Sequence, residues 1–404
     1  MAPDGWRTTR LGKVFKSRRE KGREGLPTLS VTLNDGLILR ESLERKTETT
    51  LLPEDHLLVR KLDIAYNMMR MWQGASGLAH FDALVSPAYV VLKPTKEIDS
   101  VFASYLFKSA RMIHLLWAYS YGLHSDRLRL YFADFSLIPV TLPPIEEQRR
   151  IAELLATWDL AIEKMGKLIE NGQQRKRALS HHLLTGARRL PGFDRPWTKK
   201  MLKSVGPFRK GKGLSRDHVG TQGVPCVLYG DLYTKYECVV RSFTSFIPAE
   251  FAAESQLIRK GDLLFTASGE TAEEIGKCVA YVGDEDAYAG GDTLVQSPRS
   301  NNPEYLGYLL NHTSVVKQRM RFAQGHSIVH ISAANLGSIQ LTLPENDEQC
   351  AIAKVLSNAD RSVQNCIQQR DRLVSQRKSL IQQLLTGKRR VKLEDTATPV
   401  AAIG

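Results

Sequence analysis

Several things this sequence lacks narrow its class before any motif is sought. It has only five cysteines, Cys226, Cys238, Cys278, Cys350 and Cys366, with no C-x-x-C pair among them. An odd, scattered set argues against a secreted disulfide framework and against a structural zinc site, and favours reduced thiols in the cytoplasm. No apolar stretch near Met1 resembles an export signal, since Arg and Lys crowd positions 7 to 23. The best uncharged run, Ile113 to Leu123, includes His114, Ser120 and Gly122 and is too short for a membrane helix. A membrane role is set aside on that ground.

Catalytic signatures are missing as well. Leu142-Pro143-Pro144-Ile145 and Asn302-Pro303-Glu304-Tyr305 each depart from the Asp/Asn-Pro-Pro-aromatic tetrad of amino methylation, and no Gly-rich strand-to-helix turn suits S-adenosylmethionine. Arg209-Lys210-Gly211-Lys212-Gly213-Leu214-Ser215 lacks the frame in which backbone N–H groups cradle phosphates, so it reads as a basic loop or a solvated turn. Glu44-Arg45-Lys46 has the E-x-K of many nucleases but no acidic partner upstream. His181-His182 suits the negative end of a helix better than a metal. The sequence therefore predicts no catalytic residue and no metal ligand on this chain.

What is present is charge of one sign and a repeat. The 404 residues carry 56 Lys and Arg against 43 Asp and Glu, a formal +13, which favours a polyanionic partner. With 42% apolar residues the chain has enough to bury real cores, in two or more domains. Leu142-Pro143-Pro144-Ile145-Glu146-Glu147-Gln148 returns as Leu343-Pro344-Glu345-Asn346-Asp347-Glu348-Gln349, and Leu183-Leu184-Thr185-Gly186 as Leu384-Leu385-Thr386-Gly387. Both pairs stand 201 residues apart. Each copy opens with Pro and acidic residues and closes on Gly, the punctuation of a single helix.

Each helix carries a narrow apolar seam. In the first it runs through Ile151, Leu155, Trp158, Ile162, Met165, Ile169, Leu179 and Leu183, and in the second through Ile352, Leu356, Ala359, Val363, Leu373, Leu380 and Leu384. Such a seam predicts a coiled-coil helix whose partner is the other copy. Gly172, Lys176, Arg370 and Arg377 fall on the seams and predict irregular packing in the middle. Ahead of each helix a looser match, Arg60-Lys61-Leu62-Asp63 against Arg259-Lys260-Gly261-Asp262, implies two similar globular units of mixed α and β structure. Helices are expected over Phe102–Leu116 and Tyr305–Phe322, and strands over 85–92, 226–229, 262–265 and 278–282.

The paired Leu-Pro…Glu-Gln…Leu-Leu-Thr-Gly helices, each preceded by an Arg-Lys-x-Asp strand unit, resemble the specificity subunit of type I restriction-modification systems. The resemblance implies an α+β fold with a pseudo-twofold internal repeat. Two target recognition domains, 1–142 and 191–343, would be separated by spacer helices within 143–190 and 344–391, packed as an antiparallel coiled coil, with a flexible tail at 392–404. It further implies double-stranded DNA as the ligand, each domain reading one half of a bipartite site. Two methyltransferase subunits would dock on the helices, restriction and translocase subunits would join the full complex, and S-adenosylmethionine, ATP and Mg would belong to those partners.

Base reading needs donors and acceptors presented from loops. In the first unit the candidates are Tyr66, Asn67, Arg70, Trp72 and Gln73, with His124, Ser125, Arg127 and Arg129. In the second they are Tyr229, Tyr233, Lys235, Thr266, Ser268, Glu270 and Lys277, with Gly325, His326 and Ser327. The pairs Lys176-Arg177, Arg188-Arg189, Arg377-Lys378 and Arg389-Arg390 face DNA phosphate, an acidic partner or solvent. A stand-alone DNA-binding scaffold or regulator without catalytic partners is the alternative reading.

Overall fold

The computed structural model describes residues 3–43, 51–124, 126–325 and 329–391. Two helices dominate it, Ile145–Thr185 with 41 residues and Asn346–Leu385 with 40. At about 1.5 Å per residue each is about 60 Å long. Packing divides the chain through both of them: one unit comprises residues 1–165 and 369–404, the other 166–368. Each unit thus holds one globular region and one half of each helix, where the repeat had predicted boundaries at the helix ends.

In the first unit a four-stranded antiparallel sheet runs in the order Phe15–Arg18, Tyr89–Pro94, Ile64–Asn67, Ser76–Leu78. The inner strand Ile64–Asn67 is buried from Ile64 to Tyr66 because both faces are covered there. Ile64 and Tyr66 face a core with Phe15, Phe102, Phe107 and Phe135, while Ala65 and Val91 face Leu29, Val59 and Val85. The first core continues onto the helices through Ile151, Ala152 and Leu155 and, from the far end of the chain, Leu380, Leu384 and Leu385. Arg390 pairs with Glu147, and Arg377 with Asp159, so these two helix segments run in opposite directions.

The second unit repeats this arrangement with a larger sheet. Its five strands are ordered Phe208–Lys210, Thr293–Gln296, Leu263–Thr266, Cys278–Tyr281, Val239–Val240, with only the last pair parallel. Leu263 and Phe265 face the helices through Leu183, Leu184, Ile352 and Leu356. Leu264 and Val279 face a second, four-stranded sheet that includes Val224–Val227 and Ala287–Ala289. Arg189 pairs with Glu348 and Lys176 with Asp360, again an antiparallel pairing.

Two expectations need correction. The helices expected over Phe102–Leu116 and Tyr305–Phe322 are each two, Ser100–Phe107 with Ala110–Ala118 and Pro303–Leu310 with Thr313–Met320. Ser109 and His312 cap the second helix of each pair, accepting from the Met112 and Ser314 N–H groups, so a capping side chain restarts the helix without Gly or Pro. The basic run at 209–215 is a loop only from Gly211 onward. Arg209 lies in a strand and donates to Asp262 at 2.8 Å and to Ser297 at 2.9 Å. Gly211 is required because a Cβ there would lie 1.9 Å from the Gly290 carbonyl oxygen.

Candidate nucleic-acid interface

The Arg-Lys-x-Asp repeat builds the turn that leads into each central strand. The buried Asp63 carboxylate accepts from Arg18 Nε at 2.6 Å and from the Arg60 N–H at 3.0 Å. Asp262 accepts from Arg209 and from the Arg259 N–H at 2.9 Å. The motif is therefore a brace for the strand, and the residues beyond that strand form the candidate reading loops.

In the first unit the structure brings the two predicted clusters together. Asn67 Oδ1 accepts from the Met69 N–H at 3.0 Å, and the Trp72 indole donates to the Met69 carbonyl at 3.0 Å, closing the 67–73 loop. Gly74, at φ +86°, lets that loop sit against Ile113 of the helix Ala110–Ala118. The Leu130 N–H donates to the Met68 carbonyl at 2.9 Å, tying in the turn at 121–129. Arg70, His124, Arg127 and Arg129 are exposed, and Asn67, Trp72 and Gln73 are half-buried. Tyr66 is a correction: it is wholly buried, its hydroxyl has no partner among the described residues, and burial pushes its pKa up. Ser125 lies outside the described residues. The sequence reading did not include Arg111, His114, Trp117, Tyr121 and Leu123, which are also exposed on the neighbouring helix and turn. Mapping the 3.6-residue period onto Ala110–Ala118 places Arg111, His114 and Ala118 on one solvent face and would have found the first two.

The second unit presents less of its predicted set. Thr266 and Ser268 are buried and are corrections: Thr266 ends the strand Leu263–Thr266, whose two faces are covered, and Ser268 lies in the separate short strand Ser268–Gly269 that pairs with Val329–His330. Ser268 is bonded to the exposed His330 ring at 2.9 Å, and its carbonyl accepts from Tyr233 at 2.7 Å. Lys277 donates to the Tyr233 and Tyr236 carbonyls at 3.2 and 2.6 Å, and burial lowers its pKa. Lys235, exposed, donates to Ser245 and pairs with Asp231 at 3.0 Å. Tyr229, Glu270 and Gly325 are exposed, and Tyr233 is half-buried. His326 and Ser327 lie outside the described residues, as do Glu44-Arg45-Lys46 and the tail 392–404.

Every predicted seam residue is buried or half-buried. The charged exceptions have partners of their own. In each unit one helix supplies an aspartate, the other a cation and the globular region a tyrosine. Tyr105 donates to Asp159 at 2.6 Å beside Arg377, and Tyr308 donates to Asp360 at 2.6 Å beside Lys176. Burial first, then the bonded carboxylate, pushes both tyrosine pKa values up. Burial opposes the charge on Lys176, but its bonds to Asp360 and Glu237 outweigh this and raise its pKa. The basic pairs are thus partly spent inside the protein: Arg189 grips Glu348 at 2.6 and 2.7 Å, and Arg390 grips Glu147 at 2.6 and 2.8 Å. Arg177, Arg188, Lys378 and Arg389 remain exposed.

The model of the family described as the type I restriction modification DNA specificity domain matches this chain twice, at residues 3–171 and 195–373. The chain belongs to that specificity family. Its two domains each comprise a globular region and the helix segment that follows it. The specificity subunit of the type I restriction enzyme MjaVIII of Methanocaldococcus jannaschii is 24% identical over 96% of this chain and 94% of its own length. Among solved structures, the type I S subunit from M. genitalium aligns with a TM-score of 0.60 at 18% identity, over 95% of this chain and 99% of the other. The HsdS subunit from Thermoanaerobacter tengcongensis aligns at 0.51 and 17% identity, over 96% and 98%. These likenesses establish the fold. Specificity subunits are the non-catalytic members of their systems. Among the described residues no cluster of metal-ligating side chains occurs, and no helix is long and apolar enough to cross a membrane.

Proposed function

We propose that this chain is the recognition subunit of a type I restriction-modification complex in the cytoplasm, reading an asymmetric, bipartite site on double-stranded DNA. Each unit reads one half-site, and the long helices set the gap and dock two methyltransferase subunits. Restriction and translocase subunits complete the assembly, and S-adenosylmethionine, ATP and Mg are bound by the partners. The observation that carries the reading is the duplicated frame with unlike loops: the same Tyr–Asp–cation bracket and buried Glu–Arg pair recur, while Arg70, Arg127 and Arg129 have no arginine counterparts on the second unit's described loops. A shared frame fixes spacing, as dimer geometry does on operators, and unlike loops read unlike sequences.

Single-molecule methylome sequencing of cells expressing the chain with its methyltransferase, against cells lacking the chain, tests this. A split motif of two unlike halves with a fixed gap, present only with the chain, is the expected result. A palindromic motif would contradict the asymmetric reading, and no motif with active methyltransferase present would overturn the recognition role.

A further inference from the structure

The reading surface of the first unit exposes apolar groups that hydrogen-bonded base recognition does not need. Leu123 is 99% exposed in the turn that Tyr121 and Arg129 close, with Tyr121 at 62% and Trp117 at 50% before it in the chain. Turns ordinarily take Gly, Asn, Asp or Ser, and a leucine wholly in water forgoes all the benefit of burial.

The flanks of Leu123 are also braced. Tyr121 and Arg129 exchange both backbone hydrogen bonds, at 2.9 and 2.8 Å, and the Arg127 N–H donates to the His124 carbonyl at 3.1 Å. Gly122 permits the closure, since a Cβ there would lie 2.6 Å from the Arg127 carbonyl oxygen. The base is anchored by the buried Leu130. Trp117 stacks on His114, with ring centroids 5.8 Å apart.

Charge selects the partner. Arg70, Arg111, Arg127 and Arg129 are exposed on these segments, against a single acid, Asp126. An apolar point set among arginines matches a partner with an anionic rim and an apolar interior, which is the arrangement of phosphates and stacked bases in duplex DNA. We infer that Leu123 is a wedge that enters the base stack of the half-site bound by the first unit, with Tyr121 and Trp117 following it and the arginines holding the flanking phosphates. The inference rests on the DNA-recognition reading above and concerns the first unit alone. At the matching bridge of the second unit, Gln324 with His330, a polar residue stands in place of Tyr121. A wedge favours a base step that unstacks easily, so the first half-site gains preference for a pyrimidine–purine step without a hydrogen bond to it.

The test uses the complete chain with its methyltransferase subunits and a duplex bearing the mapped site, with 2-aminopurine moved through the first half-site away from the methylated base. The wild-type complex should brighten the probe at one step. Leu123→Met should keep the signal, and Leu123→Ala should lose it and bind about tenfold more weakly while assembling normally with the methyltransferase. A wild-type complex that methylates the duplex yet brightens no position overturns the wedge and leaves the recognition reading intact. So does a Leu123→Ala chain that fails to capture the methyltransferase but still binds DNA alone, which would make this face a protein contact. Absence of any site-specific methylation by the wild type overturns the recognition reading, and the wedge with it.

Discussion

The third residue of each Arg-Lys-x-Asp turn is left-handed, with φ +70° at Leu62 and +96° at Gly261. A leucine there is strained, and Leu62 is exposed enough to lose little packing on removal. Leu62→Gly should therefore raise the thermal midpoint, by about 0.5–1 kcal/mol of stability, despite glycine's greater freedom when unfolded. The two buried glutamates offer a sharper comparison. Glu348 accepts from the Trp197 indole at 3.1 Å as well as from Arg189, whereas the buried indole N–H of Trp6 in the first unit has no acceptor among the described residues. Arg390→Ala should cost about 1–3 kcal/mol, toward the low end because that guanidinium is 43% exposed and screened by solvent. Arg189→Ala should cost less, and equal losses in chemical denaturation would contradict the rescue by Trp197. The sequence displayed Glu147, Glu348 and both aspartates as repeated residues. It could not display their roles, because their partners Arg390, Arg189, Arg18 and Arg209 are set by tertiary pairing across 45 to 243 positions.

The long helices were the most legible elements, since a 3–4 spacing repeated over so many turns means helix whether its seam is that of a coiled coil or of an ordinary amphipathic helix. Lys176 and Arg377 looked like defects in that seam because periodicity records only polarity. Their aspartate partners lie on the other helix, outside any local window. The short helices were legible in place but not in number, as Ser109 and His312 act through cap geometry. Gly166 and Gly172 separate propensity from packing within one helix. A Cβ at 166 would meet nothing within 4 Å, while one at 172 would lie 3.0 Å from Val363. Gly166→Ala should stabilise the full chain by about 0.5–1 kcal/mol in a denaturant melt. Gly172→Ala should gain less or lose, because the Val363 side chain must give way.

For the whole molecule, the duplication and its +13 charge were plain in the sequence, but the division into units was not. Repeats mark where a pattern recurs, and here compact packing cuts across the pattern, midway along both helices. If the helices set the gap, four residues inserted before Leu183 add about 6 Å of helix, and the methylated motif should widen by about one or two base pairs. An unchanged gap in the methylome of that variant would count against the helices as spacers. The same division has a consequence for synthesis. The core of the first unit includes Leu380, Leu384 and Leu385, and Arg390 donates to the Asp4 carbonyl at 2.7 Å. A ribosome adding about 5–20 residues per second needs about 10–40 s to make residues 166–368 before it reaches the segment that closes the N-terminal unit. The globular region before residue 166 is thus made ahead of residues 166–368 yet completed only after them, so a stop codon between residues 368 and 380 would leave the core around Phe135 and Ile151 open.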